Sequence, residues 1–219
     1  MSLIRNLTLV TAGAGLVAAC ATGPSIPPAM PVLEYTGVDC AASPDLGAAL
    51  SLTPDKERTL YSVNAPAAQG CLTRVEGGNT PYVAFALPAD HADKTIIVGS
   101  SLEPFRIQSP SVAILDRAGQ VTRTFRPDEY MYRGAVYSVQ FRPRENEAYV
   151  LVTADPSRVG QRYDSIVVGV FTTTVSTGYG ASQWRTGTET AQSRVFSWEG
   201  TVQVSVADND TKEEGAEAQ

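Results

Sequence analysis

Short apolar runs divided by turn residues fill the stretch from Pro81 to Gln161, at a spacing that only sheets use. The runs are Pro81–Leu87, Thr95–Val98, Ser111–Leu115, Ala135–Phe141 and Ala148–Thr153. In the fourth, Tyr137, Val139 and Phe141 fall on one face while Ser138, Gln140 and Arg142 fall on the other, the period of two of a half-buried antiparallel strand. The turns include Leu87–Asp90, Asp116–Gly119 and Pro143–Asn146, of which the last two are short enough to close hairpins. The pattern predicts an all-β chain: a single antiparallel β-sandwich of roughly seven to ten short strands, jelly-roll-like or immunoglobulin-like in outline.

The N-terminus carries an address. Met1–Arg5 holds one positive charge, and Leu7–Val17 is an apolar, small-residue core of the length a secretion signal needs and too short for a permanent bilayer span. Leu16-Val-Ala-Ala-Cys20 closes it, and Val-Ala-Ala-Cys resembles the lipobox of bacterial lipoproteins, whose cysteine is acylated before cleavage makes it residue one. The acyl chains, at about 0.8 kcal/mol per buried methylene, anchor such a protein without further help. Ala21 and Thr22 follow the cysteine with no Asp at the second position, which by resemblance to enterobacterial sorting favours the outer membrane over the inner, with the body facing the periplasm. Pro24, Pro27, Pro28 and Pro31 keep the following segment extended as a spacer. The expected division is a signal over 1–19, a tether over 20–36, a β-sandwich domain over 37–207 and a disordered acidic tail over 208–219.

Once the signal is removed about 190 residues remain, enough for one domain with a real core. The net charge of −6 becomes −7 with the loss of Arg5, and the acidic tail carries most of it. A nucleic-acid partner would need a basic face that such a balance does not supply. With Cys20 lipidated, Cys40 and Cys71 are left as a pair in an oxidising compartment, and their spacing predicts a disulfide worth roughly 3 kcal/mol by loop closure. Between them, Ser43 as N-cap and Pro44 at the first helical position open a short helix through Leu50, so this segment reads as a partly helical lid covering a sheet edge.

Within the central block, Phe85–Asp90, Ser109–Asp116, Phe125–Tyr130 and Ala148–Thr153 running to Gly160-Gln161 resemble, in order and spacing, the core of the MalM-type maltose-operon periplasmic proteins. The resemblance covers about residues 80–161 and implies an exported, non-catalytic, all-β accessory of maltose or maltodextrin uptake. It fades after Gln161 and carries no catalytic residues over.

Beyond Gln161 the sequence predicts a buried strand over Ile166–Phe171, a Thr/Gly/Ser-rich loop from Thr172 to Ser193, and strands around Phe196–Trp198 and Val202–Val206. Tyr179 and Trp184 lie in that loop, and an aromatic on a loop of a β-sandwich can stack a pyranose ring or can anchor the loop to the core. Arginines cluster in the central block, with Arg123 and Arg126 among them. They read either as a face for an anionic polymer or as solvated stems over the sheet.

No enzyme chemistry stands out. The single His91 falls in what reads as an exposed turn, with no Gly-x-Ser-x-Gly elbow, no metal-ligand spacing and no phosphate-cradling loop. The expected protein takes no cofactor or metal. It holds the membrane through its lipid and binds either a glycan, as an uptake accessory, or an envelope protein complex or surface polysaccharide, as an assembly lipoprotein.

Overall fold

The computed structural model describes residues 27–74, 78–177 and 180–208. The fold is all-β, and the helical pieces among the described residues are the 3-10 turns Leu46–Ala48, His91–Asp93 and Pro127–Glu129. The strands are β1 (Leu50–Ser51), β2 (Leu60–Pro66), β3 (Gly70–Thr73), β4 (Asn79–Ala86), β5 (Lys94–Ser101), β6 (Arg106–Gln108), β7 (Pro110–Asp116), β8 (Val121–Thr124), β9 (Met131–Arg133), β10 (Val136–Phe141), β11 (Glu147–Ala154), β12 (Arg162–Thr177), β13 (Gly180–Ser197) and β14 (Thr201–Asp208). They form a six-stranded sheet ordered β1-β4-β11-β7-β8 with β3 also on β4, a five-stranded sheet ordered β2-β14-β5-β10-β9, and a three-stranded sheet ordered β12-β13-β6.

The period of two builds the core. Val202, Val204 and Val206 of β14 are buried and alternate with partly exposed neighbours. Tyr137, Val139 and Phe141 of β10 turn inward as their spacing predicts. Phe85, Ile114 and Val150 of the six-stranded sheet join Ile96, Val139 and Val204 of the five-stranded sheet in one buried cluster. Each such side chain contributes about 1.5–3 kcal/mol.

Several expectations are corrected. The sheets are not purely antiparallel, since β1 runs parallel to β4 and β6 parallel to β13. The helical lid is absent: Asp45, not Ser43, caps a single 3-10 turn by accepting a 3.0 Å hydrogen bond from the Gly47 N–H. Leu50 then pairs with Phe85, and Leu52 donates its N–H to Ala86 O at 3.0 Å with its side chain fully buried. A helix through Leu50 would forfeit both contacts. The segment still borders the six-stranded sheet, and Cys40 and Cys71 are joined there with their Cα atoms 4.7 Å apart.

The turn after Asp116 closes the β7–β8 hairpin, but the turn 142–146 carries the chain from one sheet to the other, because β10 pairs with β5 and β9 whereas β11 pairs with β4 and β7. Buried polar groups hold that crossover. Glu147 accepts from the Arg144 N–H at 2.7 Å, and Arg144 O lies 3.0 Å from His91 Nε2. His91 is therefore buried rather than exposed, its Nδ1 2.7 Å from Pro88 O. At the C-terminal end, Asp208 belongs to β14 rather than to a tail, and its carboxylate accepts from Lys94 Nζ at 2.9 Å.

Candidate interaction site on a projecting hairpin

The longest strands among the described residues, β12 and β13, pair in continuous antiparallel register from Arg162↔Val195 to Thr177↔Gly180. The connecting Gly178 and Tyr179 lie outside the described residues. Besides the pairing of Val195–Ser197 with β6, three features hold this arm to the body. An aromatic group gathers Tyr163 and Phe196 against Tyr137, with ring centroids 5.2 and 5.6 Å from it. The Arg158 guanidinium sits 4.3 Å from the centroid of Phe196 and 4.9 Å from that of Tyr137. Tyr130 stacks on Tyr137 at 5.5 Å, and burial pushes its phenol well above the ordinary tyrosine range.

The second hold is Arg194, which is buried and donates to Glu103 O at 2.6 Å, to Ser165 Oγ at 2.9 Å and to the Gln192 side chain. The third is the N-terminal segment. Val32 donates to Ser197 Oγ at 2.8 Å, Val32 O accepts from the Trp198 N–H at 2.9 Å, and Tyr35 packs on Trp198 with centroids 5.7 Å apart. The distal part of the expected tether is thus docked beside the arm's root, and Met30, Pro31, Phe105, Arg162, Ser193 and Val195 line a shallow cavity there.

Beyond its root the arm has nothing among the described residues to cover it. Ile166 is 64% exposed, Val170 65%, Phe171 65% and Trp184 66%. The expected buried strand over Ile166–Phe171 is therefore an exposed part of β12, and the described residues of the expected loop from Thr172 to Ser193 are the rest of β12 and most of β13, paired with it. Alternation sorts its residues. One face presents Phe171, Thr173 and Val175 with Ser182, Trp184 and Thr186 across from them; the other presents Val170, Thr172, Thr174, Gln183 and Arg185. The first face continues, toward the root, the one that carries Tyr163 and Phe196 into the core.

Trp184 occupies the position the sequence assigned to a binding aromatic, on a strand opposite Thr173 rather than on a loop. Tyr179 and the lipobox Cys20 lie outside the described residues. Arg123 is engaged within the body: Nη2 donates to Glu147 Oε2 at 2.7 Å and to Arg142 O at 2.8 Å, while the guanidinium lies 4.7 Å from the Phe141 ring centroid. Arg126 is exposed beside Asp128 at 3.3 Å and Glu129 at 3.8 Å. Among the described residues no hydrogen bond, ion pair or ring contact joins either arginine to Trp184.

Sequence reasoning missed Phe171, Val170 and Ile166 as surface residues, because an apolar run reads as buried whether the cover is its own chain or something else. The run itself carries no signal of exposure, since Ser165 to Thr177 contains no Asp, Glu, Lys or Arg and an uncharged run reads as buried. A separate cleft of ≈220 Å³, bordered by Glu57, Arg58, Asp90, Lys94 and Asp208, has its lysine bound to Asp90 and Asp208 at 2.9 Å each. Comparison of the chain with protein-family models, with curated proteins and with solved structures gave no match.

Proposed function

We propose that the protein is a non-catalytic, lipid-anchored envelope protein whose β-sheet body holds out the β12–β13 arm to dock on a membrane assembly. In this reading Cys20 carries the lipid, the body faces the periplasm, the outer membrane is the anchoring surface, and the two larger sheets form the layers of one sandwich. The observation that carries it is the exposure of Ile166, Val170, Phe171 and Trp184 on a two-stranded ladder built into the body at one end only. Isolated exposed apolar residues need no explanation, but four large ones on the two faces of one projecting element mark an interaction surface.

The test is capture from crosslinked cells of the full chain and its partners. Trp184→Ala and Phe171→Ser should each cut partner recovery severalfold while leaving the thermal midpoint of the body unchanged. Recovery equal to wild type for both variants would remove the docking reading.

The resemblance of residues 80–161 to MalM-type proteins, together with the exposed indole of Trp184, supports a second reading, an accessory of maltodextrin uptake. Calorimetry against a maltodextrin series decides it: binding lost in Trp184→Ala supports this reading, and a flat titration removes it.

A further inference from the structure

We infer that the partner of the arm is the same arm on other copies of this chain, assembled edge to edge into a closed β-barrel that crosses the lipid bilayer. The inference rests on the docking reading above and names its occupant. Its first support is length. From Ile166↔Ala191 to Thr177↔Gly180 the ladder extends about 36 Å at about 3.3 Å per residue. A barrel strand tilted by about 45° needs about 9–11 residues to cross the hydrocarbon layer. Each arm strand supplies that much beyond its root.

The second support is charge. Exposed edge strands of proteins that stay in water usually carry lysine or another charge, which blocks pairing with a neighbour. Here Ser165 to Thr177 has no charge, and the two charges between Gly180 and Ser193 are Arg185 and Glu189, both at odd residue numbers. Toward the tip, the face bearing Phe171, Val175 and Trp184 presents apolar and hydroxyl side chains, and the face bearing Arg185 presents Thr172, Thr174 and Gln183; nearer the root that second face carries the exposed Ile166 and Val170. The tip half is thus sorted as a barrel wall is, with an apolar side toward lipid and a polar side toward the lumen.

The third support is the unsatisfied backbone. Among the described residues β12 pairs with β13 alone, and β13 meets β6 only at Val195–Ser197. From Ile166 to Ser176 and from Ala181 to Ala191 the outer edges of the projecting ladder therefore offer rows of N–H and C=O groups. In lipid every such group must find a partner, and two strands cannot close on themselves. Copies of the same arm supply matching edges.

The fourth support is where the chain outside the described residues leaves. Arg106 Nη1 lies 3.4 Å from Met30 O, and Met30 lines the cavity at the root of the arm. From Met30 to Cys20 the chain reaches at most about 36 Å. A lipid on Cys20 would hold the membrane surface within that distance of the arm's root.

The test reconstitutes the full lipidated chain, purified in detergent, into phosphatidylethanolamine/phosphatidylglycerol vesicles and planar bilayers. Light scattering in detergent should give a multiple of the chain mass, and the bilayers should show discrete conductance steps. Phe171→Lys sets a charge on the apolar face midway along the arm and should lower conducting activity about tenfold or more. Thr174→Lys puts the same charge on the opposite face and should keep the steps while shifting ion selectivity toward anions. Both positions are exposed, so an unchanged melting curve shows that the body of each variant is folded. A monomeric mass with sealed membranes overturns the barrel; if Phe171→Ser still loses its captured partner, docking survives without it. Equal effects of lysine on the two faces would also overturn it.

Discussion

Glu147 shows what a single buried charge does in this fold. Its side chain is fully buried, and it gathers Arg123 Nη2 at 2.7 Å, Thr122 Oγ1 at 3.0 Å and the Arg144 N–H at 2.7 Å. Removing one member of such a set leaves its partners desolvated and unmatched. Glu147→Ala should cost about 3 kcal/mol in urea unfolding, whereas Arg126→Ala, at an exposed pair, should cost under about 1 kcal/mol. Lys94 gives a pH signature. Its ammonium is held above the ordinary lysine range, first by the hydrogen bond to Asp208 and then by Asp90, against the opposing effect of burial. A raised pKa contributes stability below the unfolded value of about 10.4 that is lost as pH climbs through the folded value. The buried Tyr130 phenol acts with the same sign. The urea midpoint should therefore fall above about pH 10, and Lys94→Met should make that fall shallower. Asp90, held low by the Lys94 hydrogen bond but well exposed, adds only a weak loss as pH drops below about 4.

At the scale of elements, β5 and β10 show how tightly the five-stranded sheet is drawn. Gly99 sits between Ser138 and Gln203, and a Cβ there would fall 2.0 Å from Tyr137 O and 2.5 Å from Ser138 Cα. Gly99→Ala should destabilise by about 1–3 kcal/mol through a forced backbone shift, measurable as a lower thermal midpoint. The stapled N-terminal segment makes a different demand. Reducing Cys40–Cys71, or Cys40→Ser, should cost about 3 kcal/mol while leaving the buried contacts of β5, β10 and β14 intact by near-UV dichroism. These elements also mark how far the sequence could be read. The strands β4, β5, β7, β10, β11 and β14 were legible because short apolar runs between turns report burial by this chain itself, on one face in β14 and on both in β4. The helix expected from Ser43 was not found, because a cap and a proline describe local preference and Leu50 and Leu52 are drawn into the sheet edge instead. The turn after Phe141 passed for a hairpin because the residues that redirect it, His91 and Glu147, are distant or sit beyond the turn. Trp184 was legible as an aromatic that either binds a ligand or anchors its segment to the core, but neither its exposure nor its register opposite Thr173 was, since a Thr/Gly/Ser-rich stretch has too little apolar contrast to fix pairing.

On the scale of the whole molecule, the work is divided between a body that buries its apolar faces and an arm that leaves them open. The division has a direct test: excise residues 166–191 from the full chain, join Ser165 to Gln192 through an Asn-Gly turn, and measure the size of the complex in detergent extracts of the membrane. The account predicts a body that melts as wild type does, because the excised residues lie outside the core, and a complex reduced to single chains. An excised protein that still migrates in the large complex, or a body that no longer folds, would contradict it.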